Sequence, residues 1–101
     1  MALTKIQLSQ MLSVYGKLLT ETQREILTMY CDCDCTLTEI SAEKNITRQG
    51  VRDAIVKAEA TFEKLEECLH LAEFVKDVNV AVQSGNHGKV AELAQKFVEK
   101  E

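Results

Sequence analysis

Residues 38–55 read "TEISAEKNITRQGVRDAI", two short apolar patterns parted by an asparagine. Ile40 anchors the first pattern, with Ser41 and Ala42 small enough to sit where two helices cross. Asn45 adopts the left-handed conformation more readily than most residues, so it ends the first helix and turns the chain. Ile46 seals the turn. Thr47 then caps a second helix, with Val51 and Ile55 one turn apart on its inner face and Ala54 beside them. This is the pattern of a helix-turn-helix, whose second helix reads a DNA groove.

The outer face of that second helix carries Arg48, Gln49, Arg52, Asp53 and Val56. Arginine grips guanine or phosphate with two donors, and glutamine pairs with adenine in a similar way. Thr47 and the free N–H groups at the helix start suit a phosphate. Lys44 and Lys57 flank the face as further phosphate contacts. The expected DNA-binding set is therefore Lys44, Thr47, Arg48, Gln49, Arg52, Asp53 and Lys57. Lys44 stands where many such motifs place an apolar residue, and Asn45 replaces the commoner glycine. A lysine stem can lie along apolar surface with its head in water.

The whole chain has a formal charge of −4, with 12 Lys and Arg against 16 Asp and Glu. Residues 44–57 nevertheless carry a local +3, which leaves −7 for the remainder. A Debye length of about 8 Å at physiological salt hides most of the distant acid from a phosphate at this helix. Net charge does not exclude DNA. So small a patch predicts weak binding unless two copies act together.

Outward from the motif the chain is helical. Its 101 residues suit one domain, with 46% apolar and 28% charged residues, no proline and four glycines. Leu3, Ile6, Leu8, Met11, Leu12 and Tyr15 predict an amphipathic helix that ends near Gly16. Thr20 with Gln23, and Thr36 with Glu39, are capping-box pairs that start a second and a third helix. Ile26, Leu27 and Tyr30 form the stripe of the second, and "CDCDC", residues 31–35, reads as its fraying end and a loop. Val51, Ile55, Ala58, Phe62, Leu65 and Leu69 form a heptad seam along the fourth. The phase then shifts to Leu71, Val75, Val78 and Val82, which predicts a break near residues 68–72. An unbroken helix over 47–84 would be about 57 Å long, against a radius of gyration near 13 Å for a compact domain of this size. "SGNHG", residues 84–88, is a stop, and Val90, Leu93, Ala94, Phe97 and Val98 form the inner face of a last helix.

No apolar run approaches the roughly 20 residues of a membrane span, and the first residues lack the pattern of a signal peptide. The four cysteines therefore read as reduced thiols in a cytoplasmic protein. A zinc site would recruit Cys31, Cys33 and Cys35, with Cys68 or His70. The single-residue spacing fits none of the usual ligand pairs, so no metal or cofactor is expected. His70 and His87 are isolated, with no nearby Ser, Cys or carboxylate arranged as a nucleophile and base, and no phosphate loop or paired-carboxylate motif is present, so no enzyme is expected.

Several separated blocks resemble the YlxM-like proteins of Gram-positive bacteria. They are Tyr15-Gly16-Lys17-Leu18-Leu19-Thr20, Gln23-Arg24-Glu25, Thr36-Leu37-Thr38-Glu39-Ile40-Ser41, and the run from Thr47 to Ile55. The resemblance covers roughly residues 12–70 and is weaker beyond them. It implies a helix-turn-helix domain similar to region 4 of sigma factors, a regulatory DNA-binding role, and a tie to the signal recognition particle pathway. "CDCDC" replaces a loop usually rich in acids and tyrosine, and Gly50 replaces the usual alanine at a cost of up to about 1 kcal/mol of helix stability.

The expectation is an all-α helix-turn-helix bundle with a long fourth helix and extra C-terminal helices. Residues 1–70 form the DNA-binding domain and 71–101 an extension of the same unit, which pairs two copies into a homodimer on double-stranded DNA. The rival expectation is a helical adaptor for a protein or RNA component of the secretion machinery, using the acidic stretch from Glu59 to Asp77.

Overall fold

Three threonines of the same kind start three of the first helices. In the computed structural model, which describes residues 2–99, Thr4, Thr20 and Thr36 each accept the N–H of the residue three positions on. The side chain of that third residue reaches back to the threonine N–H, closing a reciprocal pair. Apolar spacing does not reveal the Thr4–Gln7 box, which starts the first helix at Lys5 rather than Leu3.

The helices are α1 (Lys5–Tyr15), α2 (Glu21–Leu27), α3 (Leu37–Lys44), α4 (Arg48–Leu69), α5 (Leu71–Gln83) and α6 (His87–Glu99). A 3₁₀ turn, Gly16–Leu18, joins α1 to α2. The chain is all-α among the described residues, and no described helix is long and apolar enough to cross a membrane. It spans 50 × 27 × 22 Å with a radius of gyration of 16.0 Å, longer than a sphere-like domain of this size. The length comes from α4 and from the α5–α6 pair, which reaches beyond the core.

One core serves the first four helices. Leu8 and Tyr15 of α1, Ile26 and Leu27 of α2, Ile40 of α3, and Val51, Ile55, Ala58 and Phe62 of α4 are all fully buried or nearly so. The heptad seam of α4 is thus internal packing over its first three turns. It loosens at Leu65 and ends at Leu69, which is exposed. Ile6 does not belong to the apolar stripe of α1: it is 73% exposed, because Leu8, Met11 and Leu12 already face the core. Glu59 is buried on α4, where its Oε1 accepts the N–H groups of Ala2 at 2.6 Å and Leu3 at 3.0 Å.

"CDCDC" is not simply a frayed end. Helix α2 runs on through one π turn, Thr28–Asp32, so Cys31 and Asp32 remain helical. The N–H of Cys33 reaches the carbonyl of Thr28, that of Cys35 the carbonyl of Met29, and Asp34 takes a positive φ of 54°. Helix α1 holds this loop from the other side: Lys5 pairs with Asp34 at 2.6 Å and lies over the Tyr30 ring, and Ser9 donates to Asp32. Burial and the neighbouring Asp32 charge push the Cys31 thiol up to about 11, and its Sγ meets the Leu27 carbonyl oxygen at 2.9 Å.

The predicted break falls at His70, whose φ of 52° makes it at once the last cap of α4 and the first of α5. Glu66 secures the junction. Its carboxylate accepts the Tyr15 hydroxyl at 2.6 Å, the Ala72 N–H at 2.9 Å and the Glu73 N–H at 3.0 Å, and Tyr15 in turn accepts the Leu71 N–H. Burial alone would raise the Glu66 carboxyl, but these hydrogen bonds to the charged form hold it below its ordinary value. A carboxyl depressed in the folded state adds stability above its unfolded value, and that stability is lost as pH falls through the folded one. Glu66→Gln is therefore expected to cost about 1–2 kcal/mol at neutral pH. It should also flatten the loss of stability below pH 4.5, in chemical denaturation followed from neutral to acid.

Beyond the junction, α5 and α6 form a hairpin closed on Phe74 and Phe97, whose ring centres lie 4.4 Å apart. The expected inner face of α6 is only partly covered. Val90, Leu93 and Phe97 are half-buried, whereas Ala94 is exposed and Val98 is 66% exposed. Helix α5 also packs on α1 and α4, but α6 packs mainly on α5, and one neighbour cannot cover a stripe this wide. The last two residues of the expected 71–101 extension, and the first residue of the 1–70 unit, lie outside the described residues.

Candidate nucleic-acid interface

The turn of the motif forms by the means its residues predict. Asn45 closes α3 at φ 55°, ψ 44°, and the N–H groups of Asn45 and Ile46 both return to the Ser41 carbonyl. Thr47 caps α4 in extended conformation by accepting the Gly50 N–H at 2.9 Å. The two helices meet through Ile40 of α3 and Val51 and Ile55 of α4, each fully buried. Ile46 covers the turn less completely than expected and stays 41% exposed. Ala42 is exposed too, so Ser41 is the small residue on the inner side. A side chain at position 50 would bring a Cβ to 3.2 Å of the Thr47 hydroxyl, so glycine here gives the cap its room.

Burial of Val51, Ile55 and Ala58 fixes which way α4 turns its other faces. Arg48, Gln49, Arg52, Asp53, Val56 and Lys57 are all exposed. At 100° per residue they fall into two adjacent rows, Arg48–Arg52–Val56 and Gln49–Asp53–Lys57. Among the described residues no carboxylate lies within ion-pair distance of Arg48, Arg52 or Lys57. Gln49 Nε2 donates to Asp53 Oδ1 at 2.9 Å, so the second row is tied to itself.

Lys44 is placed differently. It is half-buried and its ammonium pairs with Glu25 of α2, whose carboxyl it holds below the ordinary value. Its stem lies along the surface as expected, but its charge braces α3 on α2. The solvent face is left with Arg48, Arg52 and Lys57 against Asp53, a local +2 in place of the +3 that the sequence suggests. Spacing cannot reveal this, because Glu25 lies nineteen positions away on another helix.

The acidic stretch of the rival reading is also thinner than its sequence. Glu59 is buried and Glu66 is spent on the start of α5, so neither joins an outer acidic surface. Cys31, Cys33 and Cys35 do not gather. Among the described residues the one set of three ligand groups within 4.8 Å is Glu66, His70 and Glu73, whose Glu66 oxygens already accept three hydrogen bonds.

Capped turn, buried crossing and solvent-facing second helix define a helix-turn-helix protein. The chain belongs to the UPF0122 family, described as "Putative helix-turn-helix protein, YlxM / p13 like", whose profile matches residues 3–99. That match takes in α5 and α6, which extends the resemblance well past residue 70. A UPF0122 protein of Acetivibrio thermocellus is 38% identical over 90 residues, covering 88% of this chain and 77% of the relative. One from Lacticaseibacillus casei is 37% identical over 78 residues, 77% of this chain and 69% of the relative. One from Thermoanaerobacter is 51% identical over 57 residues, 56% of this chain and 49% of the relative. No solved structure matches significantly.

Proposed function

We propose that the chain is a cytoplasmic DNA-binding regulatory protein that acts by binding, not catalysis, and reads the major groove of duplex DNA with the first three turns of α4. The observation that carries this is the state of its cations. Arg48, Arg52 and Lys57 stand unpaired, among the described residues, on the solvent face of a helix whose opposite face is locked into the core. Unpaired arginines with their full donor sets are what phosphate and guanine require. In this reading residues 1–70 are the reading unit and 71–101 its extension. Exposed Val80, Val82 and Val98 on that extension support pairing with a second copy. The family resemblance supports a place in the signal recognition particle pathway.

Two measurements test it. In a titration of duplex DNA at several salt concentrations, the logarithm of affinity should fall with the logarithm of salt by about two to three for each monomer bound, one for each phosphate met. Selection from a random DNA pool should return a preferred sequence, with half-sites about one helical turn apart if two copies bind together. Binding indifferent to salt, or a preference for a protein or RNA component of the secretion machinery, would favour the adaptor reading.

A further inference from the structure

The reader helix carries one feature that a plain phosphate gripper would avoid. Asp53 sits in the middle of its solvent face, one turn from Gln49 and from Lys57, and beside Arg52. A carboxylate there repels every phosphate that approaches, whatever the sequence. It is not neutralised by Arg52: no cation lies within ion-pair distance of it among the described residues. Its partner is an uncharged donor, the Gln49 side-chain amide, at 2.9 Å. That bond fixes the amide's orientation, since only its nitrogen can donate to a carboxylate. The Gln49 oxygen is left as an acceptor, one amide hydrogen is spent, and the remaining lone pairs of Asp53 are free. The middle of the face thus presents acceptors, with Arg48 and Arg52 as donors along one side and the Val56 side chain at the end of their row.

We infer that Asp53 is a specificity-determining residue, which accepts the exocyclic amino group of a base in the major groove and is held in place for it by Gln49. This rests on the DNA reading proposed above. Cytosine N4 is the natural match, because a carboxylate accepts from it and no other major-groove edge of that base pair offers a donor. Asp53 therefore lowers affinity for duplex DNA in general and raises the contrast between sequences. A neighbouring guanine would meet Arg48 or Arg52, and a thymine methyl would suit the exposed Val56.

The test compares the whole protein with Asp53→Ala and Asp53→Asn by selection from a random duplex pool, followed by titration of the selected and a scrambled duplex. Position 53 is exposed, and circular dichroism checks that each variant keeps the fold. Asp53→Ala should bind the scrambled duplex at least threefold more tightly while its selected-to-scrambled ratio falls at least tenfold. Asp53→Asn, which swaps an acceptor for a donor, should change the preferred base at one position. If Asp53→Ala tightens both duplexes by the same factor and selects the same sequence, the residue acts only through its charge and the assignment fails, although the DNA reading stands. If the unaltered protein binds no duplex in a salt-dependent way, the DNA reading fails and this assignment falls with it.

Discussion

Replacing Arg48 and Arg52 together by alanine is expected to weaken duplex binding by about a hundredfold to a thousandfold at fixed salt. Each arginine that meets a guanine or a phosphate with two donors contributes about 1–3 kcal/mol, and the two sit one turn apart on the same row. For each phosphate no longer met, the salt dependence should also fall by about one. The fold should not respond. Both side chains are exposed and neither is in an ion pair among the described residues, so surface truncation here belongs in the range of about half a kcal/mol. Fluorescence anisotropy with a labelled duplex reads the binding and thermal unfolding reads the control. Unchanged anisotropy with unchanged unfolding would remove the DNA reading.

The second large effect is on stability. Phe62→Ala should cost about 3–5 kcal/mol, because it removes a fully buried ring and leaves a cavity where α4 meets α1. The ring lies 6.4 Å from that of Tyr15, centre to centre, so its removal also loosens the residue that donates to Glu66. Set against a typical total of about 5–15 kcal/mol for a domain, that removes about a fifth of the margin at the least and all of it at the most. Ile6→Ala is the matched control: an aliphatic side chain exposed on α1 should cost well under 1 kcal/mol. Urea denaturation of the pair distinguishes a core built on α4 from a diffuse one.

Much of this architecture was legible because local chemistry decided it. Threonine followed three residues later by glutamine or glutamate starts α2 and α3, and Asn45 stops α3 in the one conformation that asparagine tolerates better than most. The shift of apolar phase near residue 70 located the break between α4 and α5, and "SGNHG" located the next. What escaped was set by contacts distant in sequence. Nothing near Lys44 announces Glu25, nothing near Glu66 announces Tyr15, and Glu59 reads as surface charge until the N-terminal residues are laid across it. The π turn after α2 escaped for a different reason: an inserted residue leaves no periodic trace in five positions. The solvent face of α4 was legible as a set of residues, and its internal organisation was not. Spacing offers Gln49 and Asp53 as two independent contacts, whereas the fold makes them one unit.

Helices α4 and α5 share a single residue and have no slack between them. A tether of glycines would leave the two helices free to turn, whereas here Glu66 and the core packing of Leu71 and Ala72 hold the start of α5. Helix α5 is about 20 Å long at 1.5 Å per residue, so a 30° rotation at its root carries its far end through about 10 Å. So long a lever needs a firm root, and the Glu66 clamp together with the seat of α5 on α1 supplies it, aiming the hairpin relative to the helix that bears Arg48 and Arg52.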